Sequence, residues 1–403
     1  MSSAEHFVRH HKRQIDRAIS AAFVRLAADE SARACFAELL ACVRVRAPRL
    51  LEAPVVDGRH HGIEALVNLA GFRDAHIRTI ATWSGSDQSW RAVVNSLAQH
   101  LITKYRVPVF LAAAWYATDD VFGERKREWF VAHSRGASFR SLNLPIRMTK
   151  RMEHTFLTSC DHFSIEYAMR RAELIGLGAD VPLVNAVLAA RPALDLHHGD
   201  FWRTAWHFLV AHMRGINGDQ VAPLIDFLHT VRHESIAIDT ADGIVMRGPL
   251  QPYFSLKGRT LQSVTRLMEQ WHRNVGLAEG GFSWEPSKIR PLVQETPNDD
   301  PTVPPTIWEL TELTSSGQLR AEGKALQHCV ASYGYGCWKG RSRIWSLRRR
   351  RGLSYKSVVT VEINPASRTV TQARGFRNRR VSGRPLSILQ LWAAKEGLHL
   401  ATP

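Results

Sequence analysis

Three side chains in the last quarter of the chain could do proton chemistry together: His328, Tyr333 and Glu362. An imidazole titrates near neutral pH, a phenol can donate and accept, and a carboxylate among cations can take or release a proton in a shaped site. Glu362 and His328 form a candidate acid/base pair, with Tyr333 and Gln372 converging on the same pocket. Thr360 and Glu362 alternate onto one face of an expected strand, opposite Val359, Val361 and Ile363.

Cys329 offers a second chemistry. Its thiolate could act as a nucleophile if the surrounding Arg field lowered its pKa. Against this, neighbouring helix positions point about 100° apart, so His328 is poorly placed as its base. The plainer account is core packing: Cys329, Tyr333 and Cys337 fall at i, i+4 and i+8 of one expected helix, and a free Cys behaves as a small buried hydrophobe. His328, Cys329 and Cys337 do not make a tetrahedral set, and no CxxC pair occurs, so no metal or cofactor is expected. Gly334, Gly336 and Gly340 have the wrong spacing for a dinucleotide loop, and no GxxxxGK[ST] phosphate loop is present. Glu322-Gly323-Lys324 resembles the tail of a nuclease signature but lacks the preceding strand acid.

Charge sets these residues in context. Ser315 to Pro385 holds 16 Lys and Arg against Glu322 and Glu362, a net of +14, whereas residues 1–314 carry a net of only +2. Such a concentration favours an anionic partner, with nucleic acid, DNA or RNA, foremost. The candidate phosphate-binding residues are Arg341, Arg343, Arg348, Arg349, Arg350, Arg351, Arg374, Arg377, Arg379 and Arg380. The run Arg348 to Arg351, followed by Gly352, is expected at a hairpin tip where four guanidinium groups could grip phosphates or simply be solvated.

The elements that must hold these groups follow from periodicity. Residues 1–275 read as a helical domain of one or two subdomains, with core-facing stripes such as Val93, Val94, Leu97 and Leu101 behind the cap Ser89, and a further helix capped by Asp180. Trp202 and Trp206 fall at helical spacing and are expected in a core rather than on a base-stacking platform. Residues 276–305, rich in Pro and Gly, read as a linker or extended strap. Residues 306–403 read as a small module: a helix from Leu319 to about Gly336, strands at Ile344–Arg348, Tyr355–Ile363 and Thr369–Arg374, and a helix at Leu386–Glu396. The expected fold is therefore a mainly α N-terminal region followed by a small α+β module of helix, three-stranded antiparallel sheet and helix. Five scattered cysteines and a polar N-terminus point to a cytoplasmic protein with reduced thiols and no membrane partner.

Glu322-Gly323, His328-Cys329-Val330, Tyr333, Gly340, Ile344, Arg348, Thr360 with Glu362, and Gln372 with Gly375 and Asn378 form a series that resembles the PcfJ-like family of plasmid- and phage-associated bacterial proteins. The resemblance covers roughly Glu309 to Leu398, and its most specific part is the His-Cys-Val triplet followed by Tyr. It implies Glu322, Gly323, Cys329, Thr360, Gln372 and Asn378 as motif residues and a link with mobile elements, without implying a reaction. Two readings stand. One is a nucleic-acid-binding accessory protein whose helical region contacts a protein partner. The other is an enzyme acting on nucleic acid or a phosphorylated substrate through His328, Tyr333 and Glu362.

Overall fold

A computed structural model describes residues 3–56, 59–85, 89–117, 122–240, 243–274, 283–296, 305–328, 330–351 and 354–400. The chain divides into two compact units, Met1–Gly176 and Leu177–Pro403. Among the described residues no helix is long and apolar enough to cross a membrane.

The first unit is helical. It contains α1 (Ser3–Arg25), α2 (Glu30–Arg46), α3 (His61–Gly71), α4 (Trp90–Ile102), α5 (Ala113–Tyr116), α6 (Gly123–Ser134), α7 (Lys150–Leu157) and α8 (Ile165–Gly176), with a two-residue ladder of β1 (Val55–Val56) and β2 (Arg59–His60). Ser89 caps α4 as expected, its hydroxyl accepting from the Ala92 amide. The core is aromatic: Trp115 meets Phe130 edge to face at 5.3 Å, and Phe156 meets Phe110 and Phe139 at 5.1 and 4.9 Å.

The second unit starts with helices α9 (Val181–Leu188), α10 (Gly199–Ala211) and α11 (Gly218–His233), then a hairpin of β3 (Ile236–Thr240) and β4 (Gly243–Arg247), then α12 (Leu261–Asn274). Asp180 accepts from the Leu183 amide at 2.9 Å and starts α9, with Pro182 in its first turn. Trp202 and Trp206 stack at 5.0 Å, fully buried, and are core residues.

The remainder builds one sheet from β5 (Leu292–Thr296), β6 (Thr306–Leu313), β7 (Arg343–Arg351), β8 (Ser354–Asn364), β9 (Thr369–Arg374) and β10 (His399–Leu400). Strand order follows the sequence from β5 to β10; the β9–β10 pairing is parallel and the others antiparallel. Six strands thus replace the three expected. Strand β6 does alternate, burying Thr306, Trp308 and Leu310, but β5 lies inside the Pro-rich stretch, where breaker residues hide five residues of strand. Helix α13 (Ser316–Leu326) covers one sheet face together with the short α14 (Gly334–Trp338), and α15 (Gly383–Glu396) covers the other. Under α15, Val359, Val361 and Ile363 pack with Trp345, Leu347 and Trp392, the two indoles 4.9 Å apart. Truncating a buried Trp of this kind costs about 3–5 kcal/mol.

The single helix expected from Leu319 to Gly336 is broken at Gln327, so Tyr333 and Cys337 do not continue one stripe from Cys329, which lies outside the described residues. The break is chemical. Gln327 adopts φ 54, ψ 54, and its amide closes on the Gly323 carbonyl, which ends the helix.

Candidate functional site

The reversal after α13 places His328. Its amide also donates to the Gly323 carbonyl at 3.2 Å, folding the chain back over the helix. Gly323 makes this approach possible, because a Cβ there would lie 2.9 Å from the His328 carbonyl oxygen. His328 is then buried against the sheet, with Nε2 2.9 Å from Thr360 Oγ1. The Thr360 hydroxyl donates to Glu322 Oε1 at 3.0 Å, and Ser357 donates to Glu322 Oε2 at 2.8 Å. A hydroxyl has one proton. With that proton on Glu322, Thr360 can only accept from His328, so Nε2 carries a hydrogen.

Strand alternation sets out the rest of the floor. Thr360 and Glu362 share one face of β8, with Arg374 opposite Thr360 and Gln372 opposite Glu362 on β9. A register shift between Glu362 and Ile363 bends the ladder at this point. Glu362 accepts from Ser342 Oγ at 2.9 Å. Arg374 reaches the Ala373 and Ala189 carbonyls at 3.2 and 3.4 Å. Its buried Nε has no hydrogen-bond partner among the described residues. Burial, reinforced by the charge of Arg380, holds the Arg374 pKa below its ordinary value.

The opposite wall comes from the helices of the same unit. Asp226, His229 and Thr230 lie at i, i+3 and i+4 on α11, facing a cavity of about 790 Å³ that His328, Tyr333, Thr360, Glu362, Gln372 and Arg374 also line. Asp226 accepts from Asn378 Nδ2, presented by a turn in which Arg377 and Asn378 both have positive φ, 53° and 59°. Such a conformation in Arg377 costs about 1–3 kcal/mol and marks a turn held for its shape. His229 Nδ1 lies 3.0 Å from Glu234 Oε1, and Thr230 donates to Glu234 Oε2 at 3.1 Å. Burial opposes protonation of His229, but the Glu234 hydrogen bond and charge, with Asp226 and Asp195, outweigh it and hold the pKa above the ordinary imidazole value. Behind it, His233 stacks on His198 at 4.0 Å, and burial together with the charges of His198, His229 and Arg232 pushes its pKa down to about 4.

Residues 306–384 match the family model of PcfJ-like proteins. No curated protein and no solved structure matches the chain. The PcfJ-like segment therefore runs from β6 to the first turn of α15 and supplies one wall of the cavity; Asp195, Asp226, His229 and Glu234 of the other wall lie outside it. Of the residues singled out from the sequence, His328, Tyr333, Glu362, Thr360, Gln372, Asn378, Arg341 and Arg374 line the cavity. Glu322 stands behind Thr360, and Gly323 lies beneath the His328 turn.

The remaining Arg residues of the PcfJ-like segment do not gather at one point. Arg348 to Arg351 form the end of β7 that leads into the β7–β8 hairpin, Arg351 pairing with Ser354, so their side chains alternate between the two sheet faces. Arg348 contacts Tyr355 at 3.2 Å and Arg350 lies 3.5 Å from Glu309, while Arg349 and Arg351 face the other way. Arg343 lies 3.7 Å from Glu312, Arg377 donates to Gln327 at 2.7 Å, Arg379 pairs with Asp219, and Arg380 is exposed. Cys337 is fully buried, and burial pushes its thiol up to about 12. Among the described residues no group of three or more His, Cys, Asp and Glu is arranged to hold a metal ion.

The polar side chains of α11 that sequence reasoning missed had a signal. Asp226, His229, Thr230 and His233 interrupt an otherwise apolar α11 at helical spacing, while Val221, Leu224, Ile225, Phe227 and Leu228 are buried around them. A polar stripe on a core helix implies a polar cavity or a second polar surface facing it.

Proposed function

We propose that the 177–403 unit is an acid–base catalyst acting on nucleic acid or on another phosphorylated substrate. The observation that carries the reading is the series Glu322, Thr360, His328, three buried polar side chains in hydrogen-bond contact at the edge of the cavity. Glu322 orients Thr360, Thr360 holds the His328 ring through Nε2, and His328 is the base. Glu362 is the complementary acid, Tyr333 a second donor, and Arg374 with Arg341 the anion-binding groups at the same cavity. The cavity itself is rich in carboxylates, so it suits a substrate carrying both an anionic and a hydrogen-bonding portion, as a nucleotide unit does.

The charge distribution favours a second reading, a nucleic-acid-binding accessory protein of a mobile element without turnover. In that case the cavity residues hold the fold or bind without reacting, and the helical region contacts a protein partner. One experiment separates the two. The full chain is incubated with end-labelled single- and double-stranded DNA and RNA, and products are resolved on sequencing gels and by mass spectrometry. Catalysis predicts an altered strand that His328→Ala abolishes at least a hundredfold while binding by fluorescence anisotropy persists. Binding with no product from any substrate leaves only the accessory reading.

A further inference from the structure

The alternation that splits the Arg run turns Arg349 and Arg351 away from Arg348 and Arg350, onto a second cationic site whose lining also includes Leu326 and Ser357. Arg349 stands opposite Trp308 on β6 and Lys356 on β8, and Arg351 opposite Thr306 and Ser354. The first turn of α15 adds Arg384, and the turn after β9 adds Phe376, which is 41% exposed. These side chains line a cleft of about 490 Å³ that shares no lining residue with the His328 cavity.

The charge here is of a different kind from that elsewhere in the module. Arg343, Arg350 and Arg379 lie against Glu312, Glu309 and Asp219, whereas no carboxylate lines the cleft. Arg351 is held by Thr306 Oγ1 at 2.9 Å and Arg384 by Thr296 Oγ1 at 3.1 Å, neutral acceptors that fix the guanidinium groups without cancelling their charge. Among the described residues neither Arg349 nor Lys356 has a carboxylate within ion-pair distance. Four cations facing one concavity repel one another and are stabilised when a polyanion lies between them. An exposed aromatic ring at the same cleft is what an unstacked base can lie against; the bases of an intact duplex are stacked on one another and do not present a free face.

We propose that this cleft binds single-stranded nucleic acid, with phosphates on Arg349, Arg351, Lys356 and Arg384 and a base on Phe376. The proposal rests on nucleic acid being the partner and is independent of any chemistry at His328. It assigns to the module a strand-holding site separate from the cavity.

The test is anisotropy of the full chain with fluorescein-labelled oligothymidylate, oligouridylate and a short duplex across a salt series. Arg349→Ala/Lys356→Ala should reduce the slope of log affinity against log salt by about 1.4, two single-strand phosphate contacts at roughly 0.7 each. Arg349→Lys/Lys356→Arg should retain the slope. Phe376→Ala should weaken single-strand binding about tenfold with the slope unchanged. Arg33→Ala/Arg44→Ala removes the same charge from exposed positions of the first unit and should leave the slope intact. The proposal is overturned if the cleft double variant behaves like that control, or if the duplex binds more tightly than the single strand. Failure of the wild-type chain to bind any of the three overturns it together with nucleic acid as the partner at the His328 cavity. Intact cleft-dependent binding without turnover overturns only the chemistry.

Discussion

Replacing Thr360 by Val tests the polar series at the cavity with almost no change of volume. The hydroxyl serves two buried partners at once, donating to Glu322 Oε1 at 3.0 Å and lying 2.9 Å from His328 Nε2. Its removal deprives Glu322 of one of two hydroxyl donors, and a hydrogen bond to a carboxylate contributes about 1.5–3 kcal/mol. It also takes from His328, only 4% exposed, the acceptor for Nε2, at about 1–3 kcal/mol. The variant should therefore lose about 2.5–6 kcal/mol, a large part of the roughly 5–15 kcal/mol by which a domain is stable. Thr360→Ser keeps the hydroxyl and loses one methyl, for about 1 kcal/mol. Urea unfolding followed by tryptophan fluorescence reads the totals, with amide exchange of β8 as the local check. The reasoning is refuted if Thr360→Val falls within about 0.5 kcal/mol of wild type, or if the Ser variant is as unstable as the Val variant. Coupling supplies an internal control: His328→Ala should cost less in the Val background than in wild type, by about 1–3 kcal/mol.

Two further outcomes follow from titrating groups. Cys337, with its thiol raised to about 12, should resist iodoacetamide in the native chain at mildly alkaline pH and react after denaturation, whereas exposed Cys160 reacts in both states; early native labelling at Cys337 by peptide mass spectrometry would contradict its burial. His233, lowered to about 4 from an ordinary 6.5, binds its proton more weakly folded than unfolded, so stability should fall as pH drops between those values and be level on either side; urea midpoints across that range should flatten in His233→Gln. His229 acts with the opposite sign, its contribution being complete below its ordinary value of 6.5 and lost as pH rises through its raised folded value.

Local signals were legible where one physical cause dominated. The caps Ser89 and Asp180, the apolar stripe of α4, and the alternation of Thr360 and Glu362 against Val359, Val361 and Ile363 each depend on near neighbours, and each could be read directly. The break at Gln327 could not, because Gln has no left-handed preference; the conformation is imposed by packing of the turn onto Gly323, a contact formed only after folding. The Glu322-Gly323 pair carried half of that information, with the carboxylate and the missing Cβ serving the same turn from adjacent positions. β5 was hidden by the prolines around it, and its strand character depends on the ladder that β6 offers.

Net charge was the least transferable of the sequence quantities. A count of +14 between Ser315 and Pro385 treats the module as electrically closed, yet several of its cations find their acids upstream of that window. Glu309 and Glu312 on β6 lie against Arg350 and Arg343, and Asp219 on α11 pairs with Arg379, more than a hundred residues away. Asp226 of the same helix holds Asn378, and the carboxylates of the cavity come from both parts of the unit. Excess charge remains where upstream acids do not reach, on the face of Arg349, Arg351, Lys356 and Arg384. The basic composition thus separates into two roles: cations paired with upstream acids, among which Arg379 ties the PcfJ-like segment to α11, and cations left for an outside anion. Only the second group should set the salt dependence of binding, so the measured slope should follow the cleft residues and be nearly indifferent to Arg343, Arg350 and Arg379.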